Sequence, residues 1–316
     1  MGFLPSHLRM LIRAHRRHAF RGPVCTLGNQ ETWASYADLE DLFHAADYPY
    51  QKVDRVYRHT SKMFAEQPVL RDLARDFVHA KVFFQMLGID EYVDVDAFEF
   101  DKPALIFDLN HTIPGSLADS FRLVIDGGTV EHIFDVRQVL TNIVRLLQVG
   151  GHVVHMASFE MDHGFYALSP CLFFDFYGAN GFSDFTCFVL QFDYEHILTS
   201  YRERVPCFEY HYGMQVEELL DRKRRPAIFF VARKERQVGE VIVPFQGIYS
   251  RRAGLSEFPE GGQPSGAEKQ RSLFDAYVPR WLHGPMGPVR PILARGRSRI
   301  SQFLEKRRRV LNMERV

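Results

Sequence analysis

No apolar run in the 316-residue chain approaches the roughly 20 residues that a helix needs to cross a bilayer. Residues 227–232 form one of the longer runs and fall far short. The first residues also lack the apolar block of a secretory signal, so the cytoplasm is the expected address. Cysteine is scarce: Cys25, Cys171, Cys187 and Cys207 lie far apart with no C-x-x-C pair. That excludes a cysteine-based zinc module and the disulfide framework of a small secreted domain, and no metal is expected. Net charge is absent too, with 39 basic residues against 39 acidic ones, so overall charge argues neither for nor against a polyanionic partner; with no basic stripe in the acidic middle of the chain, nucleic acid is not the expected partner. There is no internal repeat, which excludes a solenoid. No G-x-G-x-x-G follows a strand, which argues against a dinucleotide-dependent dehydrogenase.

What the chain does have is a core, since 46% of its residues are hydrophobic. Its charges are unevenly placed. Residues 1–22 carry Arg9, Arg13, Arg16, Arg17 and Arg21 with no acid, and Lys306, Arg307, Arg308 and Arg309 stand near the other end. These basic ends read as extensions, the first a short helix with Leu8, Leu11 and Ile12 on one side, and both are candidates for peripheral contact with an anionic surface. Residues 237–316 weaken in pattern, with a Gly, Pro and Ser-rich linker at 254–266.

Between the ends, strand-like and helix-like patterns alternate. Residues 24–27 are a short strand closed by Gly28. Apolar residues at helical spacing mark residues 69–87, and a helical insertion is expected at about 36–65. Three strand-like runs follow, at residues 92–96, 104–107 and 123–125, ending in Asp96, Asp108 and Asp126. The last two are continuously apolar, as strands buried on both faces are. Val136, Val139, Leu140, Ile143, Val144 and Leu147 form one helical stripe, with Asp135 as N-cap and Gly150 and Gly151 as the stop. A strand at 152–156 completes a strand, helix, strand unit. Further strands are expected at 186–192 and 227–232, with a helix at 216–222. In such an open sheet, ligands lie outside the carboxyl ends of the strands.

Residues 121–151, F-R-L-V-I-D-G-G-T-V-E-H-I-F-D-V-R-Q-V-L-T-N-I-V-R-L-L-Q-V-G-G, resemble the fourth strand, helix and Gly-Gly turn of class I S-adenosylmethionine-dependent methyltransferases. That family shows E-H-I/V-x-D followed by L-x-N-I-x-R-L-L-x-P-G-G, and only Val149 departs, where the family has Pro. Residues 162–182 are similar to the H-x-F-Y/F-x-x-S segment with which many small-molecule members line the acceptor side. The resemblance covers residues 90–190 well, residues 24–31 and 220–234 loosely, and the last 80 or so not at all.

The resemblance implies a Rossmann-like α/β domain over residues 23–236, mostly parallel with an antiparallel last strand and helices on both faces. It implies S-adenosyl-L-methionine as cofactor and methyl transfer to a small-molecule, glycan or lipid-type acceptor. By the same comparison Asp96 takes the ribose hydroxyls, and Asp108 with Leu109 flanks the adenine. Asp126 and Gly127 flank the methionine part. The same acids would also serve simply to cap turns. His163 is the candidate base and acceptor-binding residue, with Tyr166 beside it. Glu131 and His132 are assigned to hydrogen bonding at the helix entry, with ligand contact second. The family's G-x-G-x-G loop is missing. Either residues 26–30, with Leu27 and Gly28, are a reduced version of it, or the first strand has lost its ligand-binding edge. The second case would leave a non-catalytic Rossmann-like module that serves partner interaction.

Overall fold

The computed structural model describes residues 2–57, 71, 74–99, 102–159, 163–193, 202–252 and 314–315. The chain passes through β1 (Gly2–Phe3) and helix α1 (Pro5–His18) to β2 (Val24–Leu27), then turns into β3 (Glu31–Ser35) and helix α2 (Tyr36–Ala45). After β4 (Phe77–His79) and helix α3 (Ala80–Met86) come β5 (Tyr92–Asp96), β6 (Leu105–Ile106) and β7 (Phe121–Asp126). Helix α4 (Val136–Leu146), β8 (Leu147–Ser158), helix α5 (Pro170–Ala179) and β9 (Phe182–Phe192) follow, then β10 (Pro206–Glu209), β11 (Arg225–Lys234) and β12 (Glu314–Arg315).

Among the described residues the main sheet has nine strands in the order β12-β10-β9-β11-β8-β7-β2-β5-β6. Strands β6, β5, β2, β7 and β8 run parallel, and β11 lies antiparallel between β8 and β9. This is the mostly parallel Rossmann-like sheet with a reversed last strand that the sequence leads one to expect. Alternate residues of each central strand feed two cores. Val24, Leu123, Ile125 and Val154 pack with α1, α2 and α3 on one face, and Cys25, Leu27, Val124 and Val153 pack with α4 and α5 on the other. Double coverage is why β7 is continuously apolar. Helix α4 buries Val139, Leu140, Ile143 and Val144, each contributing about 1.5–3 kcal/mol of hydrophobic stabilisation. Asp135 Oδ1 caps it by accepting from Gln138 N at 2.9 Å.

Several expectations are corrected. Residues 1–22 are no loose basic extension: Leu8 is 0% and Leu11 1% exposed, while the Arg13 guanidinium lies 4.8 Å over the Phe188 ring and Arg17 pairs with Asp184 at 3.2 Å. Arg13 and Arg17 hold their stems on the body and their heads in water, so a basic helix still packs. Within the insertion at 36–65 only 36–45 is helical among described residues, and 58–65 lie outside them. What surrounds it is a second sheet, β1-β3-β4. The helix expected at 69–87 is split: residues 77–79 form β4, and His79 Nδ1 caps α3 by accepting from Lys81 N at 3.1 Å.

The run at 104–107 is a two-residue edge strand with Ile106 57% exposed, and not a doubly covered one. Residues 216–222 form turns in place of a helix. Gly150 and Gly151 lie inside β8, at a register shift against β7, where Gly150 has φ +82°. The domain does not stop at residue 236, since Asn180 holds both the N–H and the C=O of Ile242 at 2.8 and 2.9 Å. The linker at 254–266 and the Lys306 to Arg309 run lie outside the described residues.

Candidate functional site

The register brings Leu27 level with Val95 on one side and with Asp126 on the other. Gly28, Asp96 and the turn after Asp126 therefore meet at the carboxyl edge of the sheet. Gly28 N donates to Val95 O at 2.7 Å, and Gly28 has φ +76°. A Cβ there would stand 2.9 Å from Thr129 Oγ1, so glycine suits both the left-handed backbone and the close approach. Asp96 is half-buried. Its Oδ2 accepts from Asn29 N at 3.3 Å and its Oδ1 from Phe98 N at 3.1 Å, which leaves lone pairs on both oxygens for a diol.

Asp108 is exposed, and its Oδ1 accepts from Asn110 N at 2.9 Å and Asn110 Nδ2 at 2.8 Å. These bonds hold its carboxyl below the usual carboxylate range. Leu109 does not flank that edge with its side chain: it is 3% exposed and packed in the core. Leu27 is also fully buried, and its carbonyl accepts from Gln30 Nε2 and Thr129 Oγ1, each at 2.7 Å.

Asp126 departs furthest from its expected place. It is 0% exposed. Oδ1 accepts from Thr129 N at 2.7 Å and Val130 N at 3.1 Å, and Oδ2 faces His155 Nδ1 at 2.8 Å. His155 Nε2 in turn lies 2.7 Å from Tyr177 Oη. The bonding pattern is consistent with His155 Nδ1 donating to Asp126 and Tyr177 donating its O–H to His155 Nε2. Asp126 thus builds the turn and presents no atom to a ligand. Gly127 is covered as well, since a Cβ there would stand 2.6 Å from both Gln30 Oε1 and Phe3 Cε1. Gln30 is 2% exposed and its Oε1 has no hydrogen-bond partner.

One strand further along the same edge, Glu131, His132 and His163 converge. Their nearest ligand-type atoms all lie within 4.8 Å of one another, and the two imidazoles meet edge to face at 4.9 Å. Glu131 is 0% exposed, with Oε1 accepting from Ser158 N at 3.1 Å and Oε2 without a partner. Burial first and the charge of Asp126 second push its carboxyl up to about 8. Burial, then neighbouring His163, lowers His132. The loop that carries His163 is tied down by Phe165 N donating to Glu131 O at 2.7 Å. Gly164, with φ +76°, is where a Cβ would come 2.6 Å from that same carbonyl oxygen. Tyr166 spends its hydroxyl on Phe134 O at 2.8 Å, so it fastens the loop.

Sequence reasoning named His163 but did not join it to Glu131 and His132, because the three side chains come from separate loops. It placed Gln30 in the reduced loop without a role of its own, and it missed His155 and Tyr177. The adjacent Glu-His pair after a glycine turn was the available signal.

No protein-family model and no curated protein matches the chain. Among solved structures it is similar to 1,6-didemethyltoxoflavin-N1-methyltransferase of Burkholderia thailandensis, at 9% identity over 73% of this chain and 78% of that one, TM-score 0.32. It is also similar to phosphoethanolamine N-methyltransferase 2 of Haemonchus contortus, at 15% identity over 47% and 44%, TM-score 0.30. A third similar structure is the branched-chain polyamine synthase of Thermus thermophilus, at 12% identity over 78% and 62%, TM-score 0.33. On its sheet order, the chain has the Rossmann-like fold of class I methyltransferases.

Proposed function

We propose that the protein is an S-adenosylmethionine-dependent methyltransferase acting on the oxygen or nitrogen of a small-molecule, glycan or lipid-type acceptor. The observation that carries this reading is the juxtaposition of Gly28 and Asp96 on adjacent parallel strands. A glycine that opens the backbone stands beside a carboxylate with unused lone pairs, 4.0 Å from where a Gly28 Cβ would be. Asp96 suits the ribose diol, and Asp108, kept ionised by its own turn, suits an exocyclic amine. The unpartnered Gln30 Oε1 suits the ammonium of the methionine part. It compensates for the missing glycine loop, since Gln30 occupies that loop and is bonded to Leu27 O.

The cofactor supplies an electrophilic methyl group on a sulfonium. The chain's own work is then positioning, and removal of a proton from the acceptor. His163, half-buried at the same edge, is the candidate base. Asp126 and Tyr166 have supporting roles, holding the Thr129 turn and the His163 loop.

A second reading, a Rossmann-like module without cofactor, is favoured by the cover that Gln30 and Phe3 place over Gly127. Thermal shift with S-adenosylhomocysteine separates the two. Ligand at about 100 times its Kd stabilises the folded state by about 2.7 kcal/mol, so a rise of several degrees supports the enzyme and an unchanged midpoint supports the module.

A further inference from the structure

We propose that Glu131, His132 and His163 form a binding site for a borderline divalent cation of the zinc class. One carboxylate and two imidazoles are the ligand set of catalytic zinc sites that keep an open position, and this set excludes hard-cation cages, which are built from oxygen alone. The three side chains come from two loops held at a single edge of the sheet: Glu131 and His132 from the turn after β7, and His163 from the loop after β8. Tetrahedral bonds of about 2.0–2.2 Å place two ligands on one ion about 3.3–3.6 Å apart. The atoms here lie within 4.8 Å of one another, so side-chain movements on the order of an ångström complete the site. His132 is exposed and His163 half-buried, so the open side of the set faces solvent.

A second, independent observation points to a ligand. Glu131 is wholly buried, Ser158 N fixes one of its oxygens, and the other has no partner. A buried carboxyl oxygen without a hydrogen-bond partner is costly, and a cation bound to it removes that cost. The clamp on the far side is built for position as well. Gly164 lets the His163 loop approach the Glu131 carbonyl more closely than any other residue would, and the Phe165 N to Glu131 O bond locks it there.

The site stands independently of the nucleotide. On the methyl-transfer reading it would also deepen the mechanism, since a bound ion lowers the pKa of an acceptor hydroxyl that it touches. His163 would then be a ligand in place of a free base.

The test is calorimetric titration of the chelator-stripped full chain with zinc chloride, and visible spectroscopy with cobalt(II), both without nucleotide. One equivalent of zinc is expected, with d–d bands on cobalt loading. Loss of an outer partner alone weakens metal sites roughly 10–100-fold, so His132→Asn and His163→Asn should each weaken binding about a hundredfold or more. His132 is exposed, so His132→Asn is expected to keep the wild-type melting curve, and Glu131→Gln serves as the third variant. No zinc uptake by the wild type, or wild-type zinc affinity in His132→Asn, His163→Asn or Glu131→Gln, overturns the proposal. Failure to bind S-adenosylhomocysteine leaves the zinc result standing, and the reverse also holds.

Discussion

Asp126 and His155 form a fully buried pair, Oδ2 to Nδ1 at 2.8 Å, with both side chains at 0% exposure. Tyr177 closes the far end of the imidazole, and the Thr129 and Val130 amides hold the other carboxylate oxygen. Removing one member leaves the others buried and unsatisfied, which costs about 1–3 kcal/mol and more where the group left behind is charged. Asp126→Ala and His155→Ala should therefore lower the melting temperature on the order of 10 °C, in denaturation followed by circular dichroism. An Asp126 variant that melts like wild type but no longer binds S-adenosylhomocysteine would return this residue to the ligand.

Gly164 and Gly213 share nearly the same backbone, at φ +76° and +79°, but differ in surroundings. A Cβ at 164 meets the Glu131 carbonyl oxygen at 2.6 Å, and a Cβ at 213 meets nothing within 4 Å. The left-handed conformation costs a non-glycine residue about 1–2 kcal/mol at either position. Gly164→Ala should exceed Gly213→Ala in destabilisation, and only Gly164→Ala should weaken zinc binding. Equal effects of the two changes on both measurements would remove the clamp.

His152 gives the fold an acid limit. It is 7% exposed, and burial, then the positive charges of His18 and Arg233, outweigh Asp184 and Glu235 and lower it from 6.5 to about 4. His7, packed edge-on against Phe192, is lowered to about 4 by burial alone. Because the folded values lie below the unfolded one, protons bind the unfolded chain first. The contribution is complete above about pH 6.5 and is lost as pH falls toward 4, by up to about 3 kcal/mol for His152. Urea midpoints should fall across that window, and His152→Leu should flatten part of the decline. A midpoint that holds steady from pH 7 to 4.5 contradicts this.

How much was legible in the sequence follows from what burial writes into it. The continuous apolar run at Leu123 to Ile125 and the wide stripe on α4 reveal themselves because a covered strand and a one-sided helix impose periodicity. The β1-β3-β4 sheet is silent because its strands are short and paired across distant segments: Glu31 lies against Gly2 on one side and His79 on the other. At the site, Asp96 and Gly28 are visible as strand endings. The direction of a side chain after a strand is not visible. Asp126 ends its strand as Asp96 does, yet it points into the protein, because a histidine on the neighbouring strand is level with it. Nor can a sequence show Glu131 beside His163, since their proximity depends on a glycine tolerating a contact no other residue would.

Gln30 distinguishes a site from a plug. If its unpartnered Oε1 receives the ligand's ammonium, Gln30→Ala loses a hydrogen bond to a charged group, about 1.5–3 kcal/mol. Affinity for S-adenosylhomocysteine should then fall roughly 10- to 100-fold. If Gln30 merely fills the space over Gly127, the same change opens that space and affinity rises. Isothermal calorimetry at fixed pH reads the sign directly.

The most direct measurement is calorimetric binding of S-adenosylhomocysteine to the wild type and to Asp96→Ala, with far-ultraviolet circular dichroism to show that both are folded. Binding to the wild type, reduced at least about tenfold in the variant through loss of a charge-assisted bond to the ribose, is the predicted result. Equal binding by the two proteins, or none by the wild type, would contradict the methyltransferase reading.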